Sequence, residues 1–179
     1  MRHSKVHHIK RTPDSPRSCR SRRLAPDRLA IPIAEFDAML NDGTARSSEG
    51  SCSSAVHLFP KKDRGWGPCG DYRELNARTI PNRYPVCYIN DYSHLLAGFT
   101  IFLAIDLVRA YHQILVHSDD VHNTAFTIPF WLFEFALISL VLRNAAQTFQ
   151  RFMDEILRGF DFCFAYIYDI LVYSRTPEE

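Results

Sequence analysis

The sequence predicts an α+β fold, and three observations predict it. Residues 144–159 (NAAQTFQRFMDEILRG) gather their apolar side chains on one helical face. Residues 100–108 (TIFLAIDLV) and 162–174 (FCFAYIYDILVYS) are apolar runs rich in β-branched and aromatic residues, as strands are. Such segments mix irregularly and no internal repeat orders them, which points to segregated helices and sheets.

Residues 1–28 hold nine Lys and Arg against Asp14 and Asp27, a formal charge of +7, with Pro and Ser between them. An extended or disordered arm is expected, because so little apolar surface cannot offset the entropy of ordering. His7 and His8 offer imidazoles to a metal there, although adjacent histidines on a flexible arm are more often incidental. Residues 33–40 (IAEFDAML) have helical apolar spacing, with Pro32 suited to a first turn. NDGTARSSEGSCSS, 41–54, reads as a loop. AVHLF, 55–59, is a short strand, and PKKDRGWG, 60–67, turns it into a second one ending near Asp71, as in a hairpin.

YPVCYINDYSHLLAG, 84–98, reads as an extended lead into a short helix stopped by Gly98. A turn or short helix, RAYHQI, follows the run at 100–108. Residues 123–140 suggest two strands broken at Pro129. The helix at 144–159 has Asn144 as a candidate cap, Phe149, Phe152, Met153, Ile156 and Leu157 on one face, and Gly159 as its stop. Two strands with a tight turn at 167–169 come last.

With 46% hydrophobic residues in 179, the chain can bury a real core in one domain or slightly more. Beyond residue 28 the charge is −6, from twelve basic and eighteen acidic residues. A basic arm ahead of a mildly acidic body fits contact with a polyanion, and equally a solvated tail. The five cysteines (Cys19, Cys52, Cys69, Cys87, Cys163) are odd in number and lack metal-site spacing, which argues for reduced thiols. No signal-peptide core opens the sequence, and no stretch reaches the roughly 20 uncharged apolar residues of a membrane span. A soluble intracellular protein, cytoplasmic or nuclear, is expected.

Two aspartates sit inside apolar strand-like runs, Asp106 in IFLAIDLV and Asp169 in AYIYDILV. A buried lone carboxylate is costly unless it is neutralised, paired or metal-bound. If neighbouring strands bring the two together, a divalent cation relieves the crowding. Hard Mg²⁺ prefers carboxylate oxygens and substrate phosphates. Two such ions about 3.5–4 Å apart can activate a hydroxyl and stabilise a leaving pyrophosphate. From spacing alone a hydrogen-bonded structural aspartate is the commoner outcome.

Longer stretches carry more information. VHLFPKKDRGWGPCGDYRELNARTIPNRYP, IFLAIDLVRAYHQI and LRNAAQTFQRFMDEILRGFDFCFAYIYDILVYSRTPEE together resemble a reverse transcriptase, nearest in kind to the Pol polyproteins of gypsy-like LTR retrotransposons. RRLAPDRLA and AEFDAML extend the likeness upstream, and VHHIKRTP resembles the linker after the protease. The resemblance implies a right-hand polymerase fold with a basic linker at 1–28, a fingers-like region at 29–98 and a partial palm at 99–179. It implies an RNA or DNA primer-template and dNTPs as partners, Mg²⁺ or Mn²⁺ as cofactor, and a missing remainder of palm, thumb, RNase H and integrase. A palm sheet so shortened is expected to expose an edge and to self-associate.

Residue by residue, Asp106 matches the first catalytic, metal-binding aspartate of the palm. Tyr111 matches the aromatic beneath the incoming sugar that rejects a 2′-hydroxyl; packing in the palm core competes with that role. Lys61 and Lys62 match the fingers hairpin that faces the triphosphate, or are a solvated tip. Arg73 matches a fingers arginine near the template, or pairs with Asp71 or Glu74. Gln147 and Phe149 match positions that support the palm. The family's Tyr-x-Asp-Asp hairpin is here Tyr166-Ile167-Tyr168-Asp169, so one metal-binding acid is a tyrosine and only Asp169 of the pair is kept. The family's Trp-Arg-Pro is Trp66-Gly67-Pro68, without the arginine that grips the triphosphate. Its Pro-Phe-Gly-Leu is Ser139-Leu140-Val141-Leu142, with valine for glycine. Three readings follow: an inactive polymerase fragment, a nucleic-acid-binding relic, or a structural or pseudogene product with no nucleic-acid role.

Overall fold

A computed structural model describes residues 3–13, 15, 18–21, 23–60, 66–86, 89–94, 96–129 and 131–176. In chain order the elements are β1 (Val6–His7), α1 (Pro26–Asn41), β2 (Ala45–Ser47), β3 (Ser54–Pro60), β4 (Trp66–Gly70), α2 (Arg73–Arg78), β5 (Ile101–Asp106) and β6 (Leu115–Val116). There follow β7 (Phe126–Ile128), β8 (Trp131–Phe135), α3 (Ala145–Ile156), β9 (Cys163–Tyr166) and β10 (Asp169–Ser174). Among the described residues the strands form a five-stranded sheet in the order β2-β8-β7-β3-β4, a three-stranded sheet β5-β10-β9, and the parallel pair β1-β6. Segregated sheets with helices packed beside them are the expected α+β arrangement.

The expected hairpin is β3–β4, with Phe59 opposite Gly67 and Val56 opposite Gly70. The break at Pro129 separates β7 from β8. Glu134 of β8 is buried, and its charge is met by Arg46 Nε at 2.7 Å and Ser48 Oγ at 2.8 Å. Phe36 of α1 stacks on Phe133 with ring centroids 5.1 Å apart, and Tyr72 stacks on Phe126 at 4.6 Å. The same core continues to Phe149, Phe152 and Met153 of α3, as that helix's spacing predicts. No helix among the described residues is long and apolar enough to cross a membrane.

Four expectations need correction. The stretch 41–54, read as a loop, contains β2 at Ala45–Ser47, which pairs antiparallel with β8. The basic arm is not disordered over residues 3–13. Val6 and His7 pair in parallel with Leu115 and Val116, and His7 and Ile9 are buried. Burial pushes the His7 imidazole down to about 4, so the ring contributes packing without charge. The first helix starts at Pro26, and Pro32 lies inside it with its side chain fully buried. Pro26 supplies the preorganised first turn, while burial of the Pro32 ring accompanies the backbone bond it forgoes. Finally, Asn144 holds the cap position but makes no side-chain bond to its helix; it has φ 73°, and its side chain joins Ile80 O at 2.8 Å to Asn82 N at 2.8 Å.

Candidate functional site

The three-stranded sheet sets the positions of both aspartates. β10 pairs antiparallel with β5, and Asp169 is directly opposite Asp106. It also pairs with β9 across the two-residue turn Ile167–Tyr168, with Asp169 opposite Tyr166. In such a hairpin the flanking residues hydrogen-bond to each other, so the Asp169 backbone points toward β9. Asp106 and Asp169 are therefore a non-hydrogen-bonded pair, the type with Cα atoms about 4.5 Å apart and side chains on one face. The bond from Leu107 N to Tyr168 O, 3.1 Å, fixes the same register one step on. Both carboxylates are solvent-exposed, so the burial that their apolar runs suggested is not found. All of β5 is exposed too, Ile101, Phe102, Leu103 and Ile105 among it.

The turn itself is held under strain. Ile167 has φ 55°, a left-handed conformation that a β-branched residue adopts at a cost. Gln150 of α3, buried to 2% exposure, holds it: its Oε1 accepts from Ile167 N at 2.7 Å and its Nε2 donates to Ala165 O at 2.9 Å. Sequence reasoning named Gln147 and Phe149 and missed Gln150. The legible signal was a polar residue between Phe149, Phe152 and Met153 on the apolar face.

A cleft of about 500 Å³ separates the end of this sheet from the five-stranded one. Asp106, Tyr111 and Tyr168 line one side, Pro68, Gly70 and Tyr72 another, and Ser139, Leu140 and Val141 a third. Tyr111 is buried, with its ring 6.2 Å from that of Tyr168 and 5.1 Å from Phe149. Burial, with a smaller influence of Tyr168, pushes its phenol up to about 12. The competing reading, packing in the core, is therefore met, and the same ring also lines the cleft.

The other candidates fall as follows. Arg73 donates through Nε and Nη2 to Asp71 at 2.7 and 2.6 Å, so the structural ion pair is formed. Asp71 also meets His57 Nε2 at 3.0 Å. The Arg73 bonds, then that from His57, hold its carboxyl well below the usual range despite burial. Gly67 lies in β4 beside Trp66, whose ring carries the Arg28 guanidinium 4.7 Å from its centroid. Val141 is outside the positive-φ residues, so its backbone is unstrained there and its isopropyl group simply adds to the cleft wall. Asn76 Nδ2 donates to Val141 O at 2.7 Å, tying that loop to α2. Lys61 and Lys62 lie outside the described residues.

Paired carboxylates are a donor set for a hard divalent cation, and direct cross-strand opposition fits one ion shared between them. The residue facing the cleft beside Asp106 is Tyr168, which offers no third carboxylate. An antiparallel sheet with opposed acids at its turn, set across a cleft from a second sheet, is the arrangement expected of the fingers-and-palm class that the sequence resembles. Residues 59–179 match the family model described as "Reverse transcriptase (RNA-dependent DNA polymerase)", and the chain belongs to this reverse transcriptase family.

Relatives agree. The chain is 34% identical to the retrovirus-related Pol polyprotein from transposon 297 of Drosophila melanogaster, over 81% of this chain and 14% of that protein. The Pol polyprotein from transposon gypsy of the same organism is 32% identical, over 81% of this chain and 15% of its own length. The chain thus spans about a seventh of these curated relatives. The fold is that of the prototype foamy virus protease-reverse transcriptase, TM-score 0.84 at 18% identity, covering 97% of this chain and 23% of that one. A structure of the foamy viral enzyme in complex with an RNA/DNA hybrid gives 0.79 at 19% identity, covering 97% and 23%.

Proposed function

We propose that this reverse transcriptase segment supplies the fingers and part of the palm of an RNA-directed DNA polymerase, with a catalytic centre that no longer extends a primer. The observation that carries the reading is the opposition of Asp106 and Asp169 beside Tyr168. In an intact centre, paired Mg²⁺ ions would activate the primer 3′-hydroxyl and stabilise the leaving pyrophosphate. Here Asp106 and Asp169 would hold one ion. Tyr168 brings a neutral ring to the cleft where a further carboxylate would complete the set. Tyr111 forms the apolar floor of the cleft, against which an incoming sugar would rest.

Two further changes weaken nucleotide binding. Gly67 leaves β4 without a guanidinium for the triphosphate; a lost charge-assisted contact costs about 1.5–3 kcal/mol. Val141 narrows the wall opposite. Primer-template and dNTP are the partners this reading assigns, consistent with the nucleic-acid complexes solved for the foamy viral enzyme.

Primer extension tests it. The 179-residue chain should incorporate no dNTP with Mg²⁺ or Mn²⁺, and incorporation would overturn the inactive reading. In a full-length Pol background, Tyr168→Asp with Gly67→Arg and Val141→Gly should restore extension. Continued inactivity there would sink the idea that these three positions account for the defect.

A further inference from the structure

One cluster of metal-ligating side chains lies away from the cleft and has no part in the polymerase reading. His8 follows β1 and His117 follows β6. The parallel register, Val6 opposite Leu115 and His7 opposite Val116, continues so as to set His8 beside His117. Their rings stack with centroids 4.4 Å apart and planes at 30°. Asp120 stands one turn on, in the 3-10 segment Ser118–Thr124. Its Oδ2 is 3.3 Å from His8 Nδ1, and one ligand atom from each of the three residues lies within 4.8 Å of the others.

Geometry and donor chemistry favour an ion here over a bare ion pair. Tetrahedral zinc, with bonds of about 2.0–2.1 Å, sets its ligand atoms about 3.3–3.4 Å apart. His8 and Asp120 already have that spacing. The remaining distances need to close by no more than about 1.5 Å, within reach of side-chain rotation of the partly exposed His8 and His117. Outer partners are in place as well. Asp120 Oδ2 accepts from Ile9 N at 3.1 Å, and His117 O accepts from Asp120 N at 2.8 Å. Such hydrogen bonds orient ligands before the ion arrives.

We propose that His8, His117 and Asp120 bind one Zn²⁺, with water as the fourth ligand, and that the ion fastens the N-terminal arm to the turn at 117–120. Two imidazoles and a carboxylate suit zinc, whereas the hard cation of the cleft takes oxygen. The staple has a structural consequence. Along the same arm His3 packs on Phe152 at 4.4 Å, Lys5 meets Glu155 at 2.6 Å and His7 meets Thr148 at 2.8 Å. All three partners are on α3, the helix whose Gln150 holds the β9–β10 turn. Zinc at the arm therefore steadies the helix behind the two aspartates.

Titration calorimetry of the 179-residue chain with ZnCl₂ tests the site. One ion per chain is expected, and zinc should raise the thermal midpoint. His8→Gln and His117→Gln should each weaken binding by at least about 10-fold, the low end of what losing merely an outer partner costs. His8→Gln should also lose the zinc-dependent rise while melting like the parent without zinc. Co²⁺ in place of zinc should give visible d–d bands with no thiolate charge-transfer band. Absence of zinc binding by the parent, unchanged affinity in both variants, or a thiolate band showing that cysteines hold the ion would each overturn the proposal.

Discussion

Gln150→Leu removes the clamp on the β9–β10 turn while keeping a similar volume in the core. β9 is an edge strand, and Ala165 faces α3 with its carbonyl, where Gln150 Nε2 stands in for a missing neighbour strand. Gln150 Oε1 likewise satisfies Ile167 N, the amide of the residue at φ 55°. Leucine leaves both backbone groups unpaired in a site where Ala165 is 3% exposed. Each orphan costs about 1–3 kcal/mol, so the variant should lose about 2–6 kcal/mol. In a domain of this size that lowers the thermal midpoint by roughly 4–24 °C. Urea or thermal unfolding gives the loss, and amide hydrogen exchange at Ile167 should accelerate beyond the global change. A loss below about 1 kcal/mol with unchanged Ile167 exchange would refute the claim that α3 sets the hairpin's geometry.

Gly70→Ala should be among the most damaging small substitutions, because a Cβ there would sit 1.5 Å from Cζ of Phe126. Overpacking of that kind costs about 1–3 kcal/mol and here belongs at the upper end, to be checked by the unfolding midpoint. Acid stability tests the Asp71 cluster. The Asp71 carboxyl titrates lower folded than unfolded, chiefly through Arg73. Its contribution is therefore present above the ordinary carboxylate range and is lost as pH falls through the folded value. Arg73→Gln should shrink that acid-dependent loss in urea titrations at neutral pH and near pH 2.5. An identical pH profile would mean that Arg73 does not serve Asp71.

Much of the fold was legible because it is written locally. Apolar, β-rich runs marked β3, β5, β7, β8 and β10, and the 3.6-residue spacing of Phe149, Phe152 and Met153 marked α3. What escaped is non-local. Val6 and Ile9 are isolated apolar residues in a basic arm, and the pairing of Val6 and burial of His7 depend on β6, more than a hundred residues later. Asn144 looked like a cap, yet its amide is claimed by Ile80 and Asn82 from another segment. At the site, motif resemblance named Asp106, Asp169 and Tyr168, but only strand pairing could set the first two opposite each other. Arg73 illustrates the reverse case: two residues from Asp71, it satisfies a local ion pair that the sequence already offered. Of the His8–His117–Asp120 cluster the sequence pointed only to His8, beside His7, as a candidate ligand; parallel register is what brings residues 8 and 117 together.

The most direct test is Mn²⁺ binding, read by electron paramagnetic resonance, in the parent chain, in Tyr168→Asp and in Tyr168→Asp with Asp106→Asn. A third carboxylate about 4 Å from a divalent ion contributes about 2 kcal/mol even at the dielectric constant of water, a gain of roughly 30-fold in affinity. Tyr168→Asp should show that gain, and Asp106→Asn should abolish it. If Tyr168→Asp binds Mn²⁺ no better than the parent, or if Asp106→Asn leaves the gain intact, Tyr168 does not stand in the place of a lost metal-binding acid.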